Sequence, residues 1–453
     1  MTYPTAAGRR LWWRRLATGL VLFFVSFIAI SPAMAVPSFA AQTGRPCEAC
    51  HVGGLGPQLT PFGRTFKLHG YTARAVSFNV PLAGFIENSY VHTQTAQSPA
   101  AAPSFGSNDN VAIDQISLFL AGGVGSHFGA FLQSTYDGIA KSFSWDNLDV
   151  RAVTPAHVLG KDMLLGLSLN NNPTVQDPFN TLPAWGFPYA GSSLAPTPAA
   201  GPILGGLAQT SLGLTAYAWI DSSLYAEFGA YRSPGAGFLT HAGADPAAPG
   251  KIDGEAPYAR IAYNKTFGDQ NLEVGAFWMN ANLFPGRDQT TGFTDHYTDI
   301  GIDSSWQYFA ARKDVFTVNA RYMHEHQKLD ASRALGLAAS PSGALDQVTL
   351  DASYYWRSKI GATAQLFDTW GTADSLLYAA NRVHRPDSSG VMFQLDATPF
   401  GDGRSPFGQR FNLRVGVQYT AYFRFNGAGG NFDSAGRNAS DNNTVRVFSW
   451  IYF

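Results

Sequence analysis

The chain has 453 residues, 45% hydrophobic and 14% aromatic but only 14% charged, against about 25% charged in an ordinary soluble domain. Charge facing lipid at the bilayer midplane costs about 2–4 kcal/mol per residue, so the deficit points to a lipid-facing exterior. A net charge of −1 leaves no basic footprint for phosphates, which excludes nucleic acid as a partner.

The N-terminus carries Arg9, Arg10, Arg14 and Arg15, an apolar run from Leu16 to Ile30, and Ser31-Pro32-Ala33-Met34-Ala35. A basic region, a short apolar core and an A-x-A site make a secretory signal peptide over 1–35, cleaved after Ala35. A transmembrane helix would need a longer run that does not end in Pro and small residues. The Arg9-Arg10 pair lacks the rest of a twin-arginine signal. No other stretch reaches about 20 apolar residues, so the mature chain can span only as a barrel.

Residues 36–79 form a separate segment and linker. Pro37, Pro46, Pro57 and Pro61, glycines at 53, 54, 56, 63 and 70 among others, and both cysteines fall here, and so short a piece buries no self-sufficient core. Cys47-Glu48-Ala49-Cys50-His51 is a C-x-x-C-H sequence, the attachment motif of one covalent c-type haem (haem c). Each thiol adds across a vinyl group of the haem, and His51 becomes the proximal iron ligand. The location agrees, since haem is attached after export. A Cys47–Cys50 disulfide is disfavoured by geometry, and a thioredoxin-like pair would need a βαβ context that is absent. No Met lies between His51 and Met163, so the segment supplies no Met as sixth ligand. His69, the only other His nearby, stands as the candidate distal ligand, with a surface or lumen-wall position as the alternative reading.

From residue 80 onward apolar and polar residues alternate in runs separated by Gly, Pro, Asn and Asp. Leu413, Val415, Val417, Tyr419 and Ala421 oppose Asn412, Arg414, Gly416, Gln418 and Thr420. The runs at Phe316 and Val348 repeat the pattern. Strands are predicted near 80–95, 111–123, 128–138, 143–154, 162–170, 208–220, 223–232, 256–266, 271–283, 294–308, 314–329, 344–357, 361–370, 389–399, 411–424 and 443–453. That makes an all-β, 16-stranded antiparallel transmembrane β-barrel over 80–453 with a short N-terminal haem segment ahead of it. Short turns such as 124–127 and 221–222 alternate with long loops such as 96–110, 171–207 and 233–255, except for the short 139–142. This is the pattern of periplasmic turns facing extracellular loops. The closing strand ends on Phe453, resembling the C-terminal signal that the barrel-assembly machinery of the outer membrane recognises.

Several side chains fall on the inward faces. Asp295, Asp299 and Asp303 share one face of a strand, and Arg260, Arg321, Arg414 and Arg446 lie on polar faces elsewhere. These read as a cation-attracting row or as a mixed-charge lumen wall. Met279, Met323 and Met392 also face inward, either as ordinary packing or within reach of the iron. An even strand count puts both barrel ends on the periplasmic side, and a linker over 73–79 holds the segment within about 25 Å of the first strand. The segment is therefore expected to plug or cap the barrel. One haem cannot bridge about 30 Å of hydrocarbon, so the donor must enter the lumen or the haem must sit deep within it.

Pro37-Ser38-Phe39-Ala40, Cys47 to His51, Leu59-Thr60-Pro61-Phe62-Gly63-Arg64 and Phe66-Lys67-Leu68-His69-Gly70-Tyr71, ahead of a barrel, resemble the fused monohaem cytochrome–porin family. Its best-known members are outer-membrane iron oxidases. Asn172-Pro173-Thr174-Val175-Gln176-Asp177 and Pro183-Ala184-Trp185-Gly186-Phe187-Pro188 resemble a branch of that family with undefined substrate. The resemblance implies electron transfer across the outer membrane of a Gram-negative bacterium, from an extracellular donor such as Fe(II) to a periplasmic carrier such as a soluble cytochrome. Haem roles carry over to Cys47, Cys50 and His51, and not to His69. The rival class is a porin-type transport protein with the segment as plug or sensor.

Overall fold

The computed structural model describes residues 37–76, 80–408 and 410–453. The signal peptide lies outside the described residues, as does part of the linker. Seventeen strands form one antiparallel sheet that closes on itself, because the first strand, Leu82–Thr93, pairs with both Asn110–Val124 and the last strand, Thr444–Tyr452. One of the seventeen, Gly250–Ile252, is a three-residue piece of loop paired with the end of Gln270–Pro285. The other 16 are the staves of the barrel, each bounded within about four residues of the alternation that predicts it.

The period-two pattern sets which side chains meet lipid. On Asn412–Arg424, the side chains of Asn412, Arg414, Gln418 and Thr420 are buried inward, while Val415, Val417 and Tyr419 stand exposed on the outside. Ile300 and Ile302 on Asp295–Phe309 are exposed, whereas Asp295, Asp299 and Asp303 are buried. A continuous exposed apolar exterior over a polar interior is the surface of a membrane-spanning barrel. No described helix is long and apolar enough to cross a membrane. Phe453 completes the closure: its N–H donates to Gly84 O (3.1 Å) and its carbonyl accepts from Gly84 N (2.9 Å).

Short turns at 125–127, 159–160, 221–223, 268–269, 310–314 and 357–359 mark one end of the barrel, and 138–141 is short at the other end as expected. One connection breaks the alternation. Residues 398–411 join two strands at the short-turn end yet form a long loop, and Gly401 O accepts from Glu48 N (3.0 Å). Its length serves to hold the N-terminal segment.

That segment lies inside the lumen near the same end. Its helices are Pro37–Thr43, Cys47–Cys50 and Pro61–Leu68. Ser38 Oγ donates to Ala121 O (2.8 Å), Arg64 donates to Asn271 Oδ1 (2.7 Å) and Ser305 Oγ (2.8 Å), and Gln307 Nε2 donates to Leu59 O (2.9 Å). From the other end residues 171–211, of which 171–207 are expected as an external loop and 208–211 as the start of a strand, fold inward. Thr181 Oγ1 donates to Asp303 Oδ2 (2.5 Å), Leu204 N donates to Asp299 Oδ2 (2.9 Å), and Ile203 N donates to Glu325. The inward turn follows from composition: Phe179, Leu182, Leu194, Leu204 and Leu207 are buried at 0–1% exposure, apolar area that water would penalise.

Candidate cofactor site

The geometry around the cysteines starts from local chain signals. Thr60 caps the helix Pro61–Leu68, its Oγ1 accepting from Gly63 N (3.2 Å), with Pro61 in the first turn. The same hydroxyl donates to Ala49 O (2.5 Å), and Thr60 N donates to Cys50 O (2.9 Å), so this helix is fastened to the cysteine turn. Gly63 is required for the approach, because a Cβ there would sit 2.3 Å from Cys50 O. Gly53, at φ 71°, would drive a Cβ into the Tyr355 ring at 2.3 Å.

Cys47 and Cys50 are free thiols three residues apart in one helical turn, hence on one face. Burial pushes the Cys50 thiol up to about 12, Cys47 adding to the rise and Arg45 opposing it, and burial raises Cys47 as well. Burial, with the backbone of Gly56 opposing it and the charge of Arg414 adding to it, holds His51 down at about 4, so the imidazole is neutral at pH 7. Its Nδ1 is buried without a hydrogen-bond partner among the described residues.

Cys50 and His51 line a cavity of about 390 Å³ between the N-terminal segment, the loop 171–211 and the wall. That falls within the roughly 300–1,000 Å³ of small-molecule and cofactor sites. Much of the lining is aromatic: Phe39, Phe66 and Tyr71 from the segment, Phe85, Phe119, Phe131, Trp450 and Tyr452 from the wall, and Trp185 and Tyr189 from the loop. Phe39 stacks on Tyr71 at 5.2 Å and Phe85 on Tyr452 at 4.4 Å. The lining also carries the polar Gln115, Gln133, Asp146, Asn147, Asn172, Asn180 and Lys67. Two thiols on one face, a neutral imidazole with an unpartnered buried nitrogen, and flat aromatic walls fit a covalently attached haem.

The other candidates go elsewhere. His69 caps the same helix at its C-terminal end, its Nδ1 paired with Thr65 O at 2.8 Å, and it does not line the cavity. Lys67, Phe66 and Tyr71 take the inward positions instead. Met279 and Met323 do face inward but pack with Leu182 and Tyr258 in a separate apolar cluster, and Met392 does not line the cavity. Two members of the acidic row hold the inserted loop, Asp299 accepting from Leu204 N and Asp303 from Thr181, the latter also from the wall's Arg260; Asp295 instead accepts from Ser332 in the connection after Val315–Lys328. Arg414 pairs with Asp396 (2.8 Å) and donates to Leu55 O (2.8 Å), Arg446 pairs with Glu87, and Arg260 pairs with Asp303 (2.8 Å). Lys67, Asn180 and Trp185 are cavity residues that spacing and motif did not single out. The signal available was the apolar content of 171–211, too high for a solvated loop.

No protein-family model matches the chain, and no curated protein matches it. Solved structures similar to it are outer-membrane barrels. Pseudomonas putida OprB is 11% identical, over 82% of this chain and 93% of that one, at a TM-score of 0.48. Vibrio cholerae OmpT in its trimer form is 10% identical, over 82% and 98%, at 0.44. The outer membrane channel DcaP of Acinetobacter baumannii is 10% identical, over 85% and 99%, at 0.39.

Proposed function

We propose that this barrel resides in the outer membrane and carries one c-type haem in its lumen for electron transfer, from an extracellular donor such as Fe(II) to a periplasmic carrier. The observation that supports this is the convergence of Cys50 and His51, with Cys47 in the same turn, on an aromatic cavity inside the lumen. Haem bound there supplies a one-electron site. The chain's own residues do the rest. Cys47 and Cys50 would give thioether links, and His51 would give a neutral imidazole. The aromatic walls would exclude water, and Arg414, donating to Leu55 O, fixes the chain next to His51. The direct test mixes purified haem-loaded protein with Fe(II) and follows the visible spectrum. The reading expects reduction. A haem that dithionite reduces and Fe(II) does not would remove Fe(II) as donor.

The barrel architecture as such favours a second reading, a transport protein whose lumen is closed by the N-terminal segment and the loop 171–211. Single-channel conductance separates the two. An open, solute-permeable pore around a redox-inert segment would favour transport.

A further inference from the structure

The lumen holds its buried cations in two ways. Arg151, Arg260, Arg414 and Arg446 each pair with a wall carboxylate. Arg64 and Lys67 do not: Arg64 donates to the neutral Asn271 and Ser305 of the wall, and among the described residues no carboxylate pairs with Lys67, although it is only 5% exposed. Its Nζ donates to Val175 O (2.7 Å) and Asn180 Oδ1 (2.8 Å) and lies 4.6 Å from the centre of the Trp185 ring. Two carbonyl acceptors and an aromatic face form a cage for an ammonium, and they leave one N–H uncommitted. Lys67 is also the one buried cation in the lining of the cavity that Cys50 and His51 share. Burial, with Arg151 adding to it, pushes its pKa down to about 7, a cost that a neighbouring anion would relieve.

We infer that Lys67 is a positioning residue that receives a carboxylate of the cofactor held in this cavity. The inference rests on the haem reading, because a c-type haem tethered through its vinyl groups still carries two propionates, which need a cation when buried. The other donors at this wall are committed: Asn180 Nδ2 to Pro57 O (2.7 Å) and Trp185 Nε1 to Val175 O (2.9 Å). The cage is shared between the N-terminal segment, which supplies Lys67, and the inserted loop, which supplies Val175, Asn180 and Trp185. The carboxylate contact would therefore seat the cofactor against both.

The test uses the full-length protein purified with its haem, as wild type, Lys67→Met, Lys67→Gln and Lys67→Arg. Covalent haem is scored first on denaturing gels, then the oxidised-to-reduced ratio at a fixed electrode poise, then the visible and near-infrared spectrum. Losing the cation leaves a propionate uncompensated and favours the oxidised iron. The ratio is expected to rise about tenfold in Lys67→Met and Lys67→Gln and to stay near wild type in Lys67→Arg, with ligand bands unchanged in all. If both neutral variants lose haem while Lys67→Arg retains it, the charge is what holds the cofactor, which also supports the inference. An unchanged ratio, loss of haem in all three variants, or altered ligand bands, which would make Lys67 an iron ligand, would each overturn it. A wild type without covalent haem would instead fail the haem reading itself.

Discussion

The N-terminal segment and the loop 171–211 meet in the lumen, and the wall holds them through a different balance of donors and acceptors. Beside the donors Ser38, Arg64 and Tyr71, the segment offers the wall a series of carbonyl oxygens: Leu55 O accepts from Arg414 (2.8 Å), Leu59 O from Gln307 (2.9 Å), Lys67 O from Arg151 (2.9 Å), Leu68 O from Tyr217 (2.7 Å) and Gly54 O from Asn412 (3.0 Å). The loop is held by N–H groups on wall carboxylates: Leu204 N on Asp299 (2.9 Å) and Ile203 N on Glu325. Within the loop, Asp177 accepts from Phe179 N (3.1 Å), Thr181 N (2.8 Å) and Leu182 N (3.2 Å). Wall donors that keep their protons at any ordinary pH recur along the segment, and titratable wall carboxylates recur under the N–H groups of the loop. The two should be separable.

The sharpest break is Arg414→Met. It strands Asp396 without its partner and removes the donor to Leu55 O, a change of about 3–5 kcal/mol for a buried pair. Limited proteolysis should show cleavage within the segment while the loop stays protected. Equal exposure of both would show that the two fillings open together.

Next is Asp177→Asn, at about 2 kcal/mol for charged hydrogen bonds to backbone. Hydrogen exchange should rise at the amides of Thr181 and Leu182 and leave the segment unchanged. Acid should act in the same place. Burial raises the Asp177 pKa, but Arg260, Lys67 and the backbone N–H groups outweigh it and hold the carboxyl below its usual value. A depressed carboxylate stabilises above its unfolded pKa and loses that contribution as pH falls through the folded value. Loop protection should therefore persist above about pH 4 and fall below it, with the segment lagging. The smallest effect is Tyr217→Phe, which removes one donor from Leu68 O and should cost about 1 kcal/mol in a urea titration.

The wall was legible because a strand in lipid has a period of two and few exceptions. Asn412 to Ala421 states its two faces outright, and Phe453 lies where closure needs it. The cysteine turn was legible as a turn, because a C-x-x-C spacing puts Cys47 and Cys50 on one face of a helix. The depth of the segment was not, because it is set by partners such as Gln307 and Arg414 hundreds of residues away. The length of 171–207 reads as an outward loop, and its buried Phe179, Leu182 and Leu204 argue the reverse only once a lumen exists to receive them. His69 was the only other His near the motif, but the helix end turns its Nδ1 to Thr65 O, and Lys67 two residues earlier faces the cavity instead.

The central claim is that the cysteine turn carries a haem inside a barrel. Its most direct test expresses the full chain in a host competent for c-type cytochrome maturation, then takes an intact mass and a visible spectrum of wild type and of the Cys47→Ser and Cys50→Ser double variant. The account predicts one covalent haem per chain in the wild type and none in the variant, with both barrels folded. A folded wild-type barrel with no haem and a Cys47–Cys50 disulfide would contradict it.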